Sequence, residues 1–351
     1  MSRRICVFLA VLWTLSLVSV AQAVNWSVLP SNDVGRCGHT SVYDDALDRM
    51  IVFAGRGSSG YLNSCTQMSL SLGNEAWKSL APSGESLPVP RAYHTAIVYP
   101  ADSGNYMVIF GGKGGTTRVN YYSDTWAMFM KKGEEAWSQL QPKGIIPPAR
   151  ESHSAIYDPK WKRMIVFGGR NAATSMNDLW VLDLATLTWS AHGSTQKGPS
   201  NRAGHSAVYD AKNERMLVFG GVLDTGLYTT EIWSLDLSIE DGGWTKLPTE
   251  GKGAHGVAWH CAVYDDPNKR MLTFAGTDGA QTSYLQCVSY VSSVTGSWMA
   301  LSPTGVTPPA RQDVAAVLDP EDERLVVFGG QAGFVGIFGD AHELSWRPLP
   351  T

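Results

Sequence analysis

One short phrase is written six times along the chain, and it decides what the chain can fold into. The copies read RMIVFAG from Arg49, YMVIFGG from Tyr106, RMIVFGG from Arg163, RMLVFGG from Arg215, RMLTFAG from Arg270 and RLVVFGG from Arg324. Their phenylalanines, Phe53, Phe110, Phe167, Phe219, Phe274 and Phe328, lie 57, 57, 52, 55 and 54 residues apart. A near-constant period of this length means one supersecondary unit copied in tandem, each copy burying its faces only against its neighbours.

Three further segments accompany each copy. Upstream stands an Arg-x-x-His motif: Arg36–His39, Arg91–His94, Arg150–His153 and Arg202–His205. The fifth unit keeps His260 but has Val257 for the arginine; the sixth keeps Arg311 but has Val314 for the histidine. Downstream comes an alternating run such as Asn177–Asp183 or Glu231–Asp236, then a W-x-x-L run at Trp77, Trp137, Trp244 or Trp298. Four short runs rich in Val, Ile, Phe, Tyr and Trp, bounded by Gly, Pro, Asp and Asn, are strand-and-turn chemistry. Beyond the N-terminal segment no run holds apolar residues at helical spacing for more than two turns, so the fold is expected to be all-β. Six four-stranded antiparallel units that must hide both sheet faces point to a β-propeller. A linear solenoid would need distinct capping repeats, and none is visible.

Here the residues carry a family resemblance. The double glycine after an apolar strand, the downstream Tyr or Trp and the W-x-x-L strand resemble the kelch repeat, from about Val24 to the end. The resemblance implies a six-bladed kelch-type propeller similar to the central domain of galactose oxidase, a single domain over residues 24–351. Ala54 and Ala275 depart from it at the first glycine. The WD-type signatures do not recur. Trp26-Ser-Val-Leu29 matches the fourth-strand motif but precedes the first unit, so this strand is expected to complete the sixth blade, with Ala341–Trp346 as that blade's third strand. A competing arrangement makes Trp346–Leu349 the fourth strand.

Residues 1–23 read as a secretory signal peptide: Arg3 and Arg4, an apolar run from Ile5 to Val20, then Ala21-Gln22-Ala23 as a small-x-small cleavage site. A secreted or periplasmic protein is expected, with no membrane span after cleavage. The chain has 28 basic and 32 acidic residues, a balance that argues against nucleic acid as a partner. Cys37, Cys65, Cys261 and Cys287 would remain after cleavage; a Cys37–Cys65 disulfide is expected, and the state of Cys261 and Cys287 stays open.

The recurring arginines are the candidate ligand-binding set. By the kelch resemblance, Arg36, Arg91, Arg150, Arg202 and Arg311 would ring one mouth of the central channel, joined by Arg56, Lys113 and Arg170. Guanidinium groups there would hold an acidic sugar or an acidic peptide loop. The alternative is that each arginine ties the scaffold together through backbone carbonyls or carboxylates, which its recurrence in nearly every unit favours. Trp259 stands where other units carry Gly38, Tyr93, Ser152 and Gly204; it would either stack on a sugar ring or fill space left by the missing arginine. The histidines His39, His94, His153, His205 and His260 lack paired metal-ligand spacing and are expected to pack between blades, so no metal and no cofactor is expected. Tyr93-His94 resembles the adjacent copper ligands of galactose oxidase, but it coincides with the ordinary repeat register. No nucleophile or phosphate-loop motif occurs.

The expected function is therefore a binding module whose loop face contacts a protein or saccharide. The alternative, implied by resemblance to the N-acetylneuraminate mutarotase type, is an enzyme acting on an acidic sugar at the channel mouth, with Glu151 and Asp313 as acid/base candidates. A third expectation is a structural component of an envelope assembly, with its channel mouth closed.

Overall fold

The computed structural model describes residues 24–346 apart from 33, 193–197, 240–241, 252–254, 281–287, 293–296 and 334–335. The fold is an all-β propeller with no α-helix among the described residues. Nor is any described helix long and apolar enough to cross a membrane. The N-terminal apolar run and cleavage motif, Cys287 and the Trp346–Leu349 strand fall wholly or partly outside the described residues.

Among the described residues six sheets carry four or more strands. The third is representative: Ser154–Asp158, Arg163–Arg170, Ser175–Asp183 and Thr188–His192 pair antiparallel in sequence order. The RMIVFGG phrase is always the second strand, buried on both faces, which is why it reads as a continuous apolar run. Its first residue closes the hairpin electrostatically: Arg163 Nε meets Asp158 Oδ2 at 2.8 Å, and Arg49, Arg215, Arg270 and Arg324 do likewise with Asp44, Asp210, Asp265 and Asp319.

The sixth sheet joins both ends of the chain. Asn25–Leu29 pairs antiparallel with Ala341–Ser345, which pairs with Arg324–Phe328. The N-terminal strand thus supplies the outer strand, as the position of Trp26 suggests. Its edge is covered by Thr304–Gly305, running parallel from the preceding unit; Lys143–Gly144 covers the third sheet in the same way. Covering an edge strand removes a template for unwanted pairing.

Neighbouring sheets are held by aromatic contacts that repeat around the axis. Phe53 packs on Trp137, Phe110 on Trp189, Phe167 on Trp244 and Phe219 on Trp298, with ring centroids 4.5–5.1 Å apart. Phe274 on Trp26 and Phe328 on Trp77 complete the circuit across the chain termini. Each tryptophan of the W-x-x-L strand therefore serves an interface between sheets, within one of six clusters of buried apolar side chains. Such tilted pairs stabilise beyond their area alone, by about 0.5–1.5 kcal/mol.

Candidate functional site at the channel mouth

The constant arginines are turned into the scaffold and not toward the mouth. Arg36, Arg91, Arg150, Arg202 and Arg311 are wholly buried, and their hydrogen bonds are made inside their own units, with Arg36 Nε left without a partner. Arg150 Nε donates to the Pro148 carbonyl, Nη1 to the Gly168 carbonyl, and Nη1 and Nη2 to the Asp178 carboxylate, at 2.6–3.0 Å. Arg91 with Asp124, Arg202 with Glu231 and Arg311 with Asp340 repeat the pattern. Each clamps the double-glycine turn to the start of the third strand. Arg36 lacks a carboxylate partner and uses Ser64 and the Ala54 carbonyl; burial lowers its pKa to about 10.

The expected Cys37–Cys65 disulfide is also absent. Both residues are free and buried. Cys37 faces Arg56 and donates its Sγ hydrogen to the Arg56 carbonyl, whereas Cys65 lies opposite Phe53, three residues further down the same strand. That displacement along the strand puts the two sulfurs in different layers. Burial pushes the Cys37 thiol up to about 11 and those of Cys65 and Cys261 up to about 12.

The histidines form an internal belt. His94 Nε2 meets Thr40 Oγ1, His153 meets Thr95, His205 meets Ser154 and His260 meets Ser206, each at 2.7–2.9 Å and each joining one unit to the one before. Burial lowers the pKa of His39, His205 and His260 to about 3 and holds His94 and His153 well below the usual value. Among the described residues no group of three or more His, Cys, Asp or Glu is arranged to hold a metal.

What lies at the mouth are the residues between the constant ones. Gly38, Tyr93, Ser152, Gly204, Trp259 and Asp313, each just before the histidine position, line a cavity of ≈ 120 Å³ with the histidines beneath. Their backbones form a closed ring of hydrogen bonds: Tyr93 N to Gly38 O, Ser152 N to Tyr93 O, Gly204 N to Ser152 O, Trp259 N to Gly204 O, Asp313 N to Trp259 O, Gly38 N to Asp313 O, at 2.7–3.0 Å. All six hold φ between 52° and 67°. For the four that are not glycine this left-handed backbone costs on the order of 1 kcal/mol each. Strain of this kind persists where the surroundings over-determine it, here the closed ring. The two glycines have a second role: a Cβ at Gly38 would meet the Tyr93 ring at 3.0 Å, and one at Gly204 the Trp259 ring at 3.0 Å. Each aromatic plate therefore lies across its neighbour's glycine.

A second tier comes from the residue after each double glycine and its cross-strand partner. Cys37 bridges Arg56, Ala92 bridges Lys113, Glu151 bridges Arg170 and Gln312 bridges Gln331. The cations thus fall on one half of the mouth; Val222, Thr277 and Gln331 occupy the same place on the other half. Glu151, buried, accepts from Lys113 Nζ at 3.0 Å and Arg170 Nε at 2.9 Å. Lys113 stands 4.8 Å over the Tyr93 ring and Arg170 5.6 Å over the Trp259 ring. Tyr228 meets Trp259 edge-on.

Asp313 is the electrostatic exception. Its Oδ2 accepts from Gln331 Nε2 at 2.6 Å, Gln312 Nε2 at 3.2 Å and the Tyr93 hydroxyl at 3.4 Å, all neutral donors. Burial raises its pKa to about 6 despite these bonds, with Glu151 adding to the rise. A carboxyl poised there can accept a hydrogen bond or exchange a proton near neutral pH.

Sequence comparison gives this arrangement a family. The model described as the KLHDC2/KLHL20/DRC7 Kelch-repeats domain matches residues 13–191 and 103–241, together more than half of the chain. The chain belongs to the kelch-repeat family. Host cell factor 1 of Rattus norvegicus is 28% identical over 266 residues, covering 67% of this chain and 12% of that protein. Adagio-like protein 3 of Oryza sativa subsp. japonica is 27% identical over 237 residues, 65% of this chain and 36% of that protein. The chain thus spans well under two thirds of the length of these relatives. A solved structure of YjhT matches with a TM-score of 0.69 at 17% identity, covering 89% of this chain and 95% of that one. It shares the propeller fold with this kelch protein.

Of the expected site residues, then, Trp259 lines the mouth and the five arginines do not. Arg56, Lys113, Arg170, Glu151 and Asp313 do surround it. Tyr93, Ser152 and Gln331 were not singled out for the mouth. The signal for them was their variation: inside a phrase that barely changes, the residue before each histidine reads Gly, Tyr, Ser, Gly, Trp, Asp.

Proposed function

We propose that this kelch-repeat protein is a six-bladed, secreted or periplasmic binding module whose ligand, a protein or a saccharide, meets the loop face at the channel mouth. The closed ring of backbone bonds through Gly38, Tyr93, Ser152, Gly204, Trp259 and Asp313, with one residue from each repeat, supports the blade number. Export is supported by the apolar run and Ala-Gln-Ala motif before Val24, and N-terminal sequencing of the protein recovered from its host tests it. The single observation that carries the binding reading is the contrast between tiers. Arginine and histidine positions repeat around the ring as scaffold, whereas the mouth positions differ from unit to unit. A scaffold has reason to repeat; a ligand has no sixfold symmetry and needs unlike groups. The test is to replace Trp259, Tyr93 or Arg170 by alanine and measure ligand or partner capture by the otherwise folded protein. Loss of capture with unchanged melting supports the reading; unchanged capture by all three variants opposes it.

A second reading, an enzyme acting on a sugar at the same mouth, is favoured by one observation. Asp313 lines the cavity with its carboxyl raised to about 6, the range in which a side chain both gives and takes protons efficiently. Conversion of a sugar anomer or linkage that disappears in Asp313→Asn but survives in Trp161→Ala, a variant of an exposed residue outside the mouth, would establish it.

A further inference from the structure

We infer that the mouth takes the end of an uncharged saccharide, one pyranose ring held between Tyr93 and Trp259 with its hydroxyls on Asp313 and Ser152; this rests on the mouth being the binding site. The argument begins with placement. In the closed ring of six residues Tyr93 and Trp259 are three steps apart, on opposite sides of the axis, and so are Ser152 and Asp313. Two aromatic plates thus alternate with two oxygen-bearing groups around one cavity. Lys113 and Arg170 lie over these two ring faces, so a pyranose stacks there by taking the place of the two flexible cations, while its rim presents donors and acceptors to the oxygen-bearing pair.

Charge then selects among sugars. Lys113 and Arg170 already share the Glu151 carboxylate, and Arg56 Nη2 donates to Gln331 Oε1 at 2.8 Å. A ligand carboxylate on Lys113 or Arg170 would have to displace Glu151, and one on Arg56, which bonds the neutral Gln331, would lie beside Asp313 on the other end of that glutamine. A ligand ammonium would meet Arg56, Lys113 and Arg170. A hydroxyl meets neither penalty, and Asp313, surrounded by neutral donors only, is a strong acceptor for it once ionised. Size points the same way. The cavity of ≈ 120 Å³ is well below the roughly 300–1,000 Å³ of pockets that enclose a whole drug-sized ligand, so it takes one edge of a sugar ring and not a whole oligosaccharide. The ligand therefore enters by its terminal residue. That residue is carried either by a free oligosaccharide or by a glycan fixed to a larger molecule.

The test is calorimetry and saturation-transfer NMR on the full chain. The probes are neutral mono- and oligosaccharides, galacturonate, sialic acid, and the same neutral sugars coupled to a carrier protein. Binding of neutral probes is expected, with affinity at least about tenfold lower in Trp259→Ala; Trp259→Phe serves where the alanine variant fails to fold. Glu151→Gln, which frees Lys113 and Arg170, is expected to create binding of galacturonate. Carrier-coupled sugars binding tighter than free ones would identify a fixed glycan as the source, and the reverse a free one. Galacturonate or sialic acid binding the unaltered protein more tightly than neutral sugars would overturn the inference while leaving the mouth as the site. So would capture of a protein partner that Trp259→Ala abolishes, with no sugar binding at all. Sugar binding undiminished in every mouth variant would overturn both.

Discussion

Arg150 and Asp178 grip one another through two parallel hydrogen bonds, Nη1 to Oδ1 at 2.6 Å and Nη2 to Oδ2 at 2.8 Å, with the guanidinium wholly buried. The pair also fixes the Gly168 carbonyl. Arg150→Ala is expected to cost about 3 kcal/mol or more, since it empties a buried volume and strands its partners. Ligand affinity in the fraction that remains folded should not change. The first unit offers the converse experiment: Arg36 faces Ser64 where the others face an acid. Ser64→Asp should supply the missing carboxylate and stabilise by about 1 kcal/mol, read from urea denaturation. A destabilised Ser64→Asp variant would mean that the first unit is shaped differently around its arginine.

The histidine belt has a comparable gap. His39 sits edge-on to Phe328 as its counterparts sit on their phenylalanines. Yet Ala315 occupies the place where Thr40, Thr95, Ser154 and Ser206 offer a hydroxyl. Ala315→Ser is expected to bond His39 Nε2 and raise stability by about 1 kcal/mol. Thermal melting checks it; a lowered melting temperature would show that the seam between the sixth and first units has no room for the oxygen.

The belt also dictates an acid response. His39, His205 and His260 titrate near 3 in the fold against 6.5 when unfolded. A lowered histidine pKa contributes stability that is complete above 6.5 and is lost as pH falls toward 3. Asp313 runs oppositely, its value being about 6 against 3.8. Its ionised form burdens the fold above pH 6, and that burden is relieved between about 6 and 4. Stability should therefore fall steeply below pH 6.5, with Asp313 blunting the fall. Asp313→Asn is expected to be more stable at pH 7 by up to about 2–3 kcal/mol and to show a steeper acid loss. Denaturation midpoints of both proteins between pH 4 and 8 decide it; parallel curves would contradict the assignment.

The architecture was legible in the sequence because its determinants repeat. Phe53 and its five counterparts announced the second strands, and Trp26 announced the closing strand, since each needs the same partner in every interface. The scaffold role of Arg150 was legible too, in its recurrence, but its buried partners were not: Asp178 lies 28 residues away, and only the folded hairpin brings them together. The mouth was harder to read. Tyr93, Ser152 and Asp313 are marked by departure from a pattern, which in a single sequence looks the same as drift. Their convergence depends on a ring that closes across some 275 residues from Gly38 to Asp313.

Cysteine chemistry shows the limit of spacing arguments. Cys37 and Cys65 share a unit, yet they face different residues of one strand and neither reaches the other. Alkylation in denaturant without reductant should label Cys37, Cys65 and Cys261, and added reductant should leave the melting temperature unchanged. A two-dalton mass deficit removable by reductant and mapping to Cys37 and Cys65 would restore the bridge.

The most direct measurement is hydrogen–deuterium exchange of the full chain with and without a saturating bound ligand, whether a neutral saccharide or a captured partner. Protection is expected in peptides carrying Tyr93, Glu151–Ser152, Trp259 and Gln312–Asp313, with the opposite-face hairpins at Asp45–Asp48 and Lys160–Lys162 unchanged. Protection of those hairpins, with the mouth peptides exchanging as before, would contradict the claim that the unlike residues at the mouth are the site.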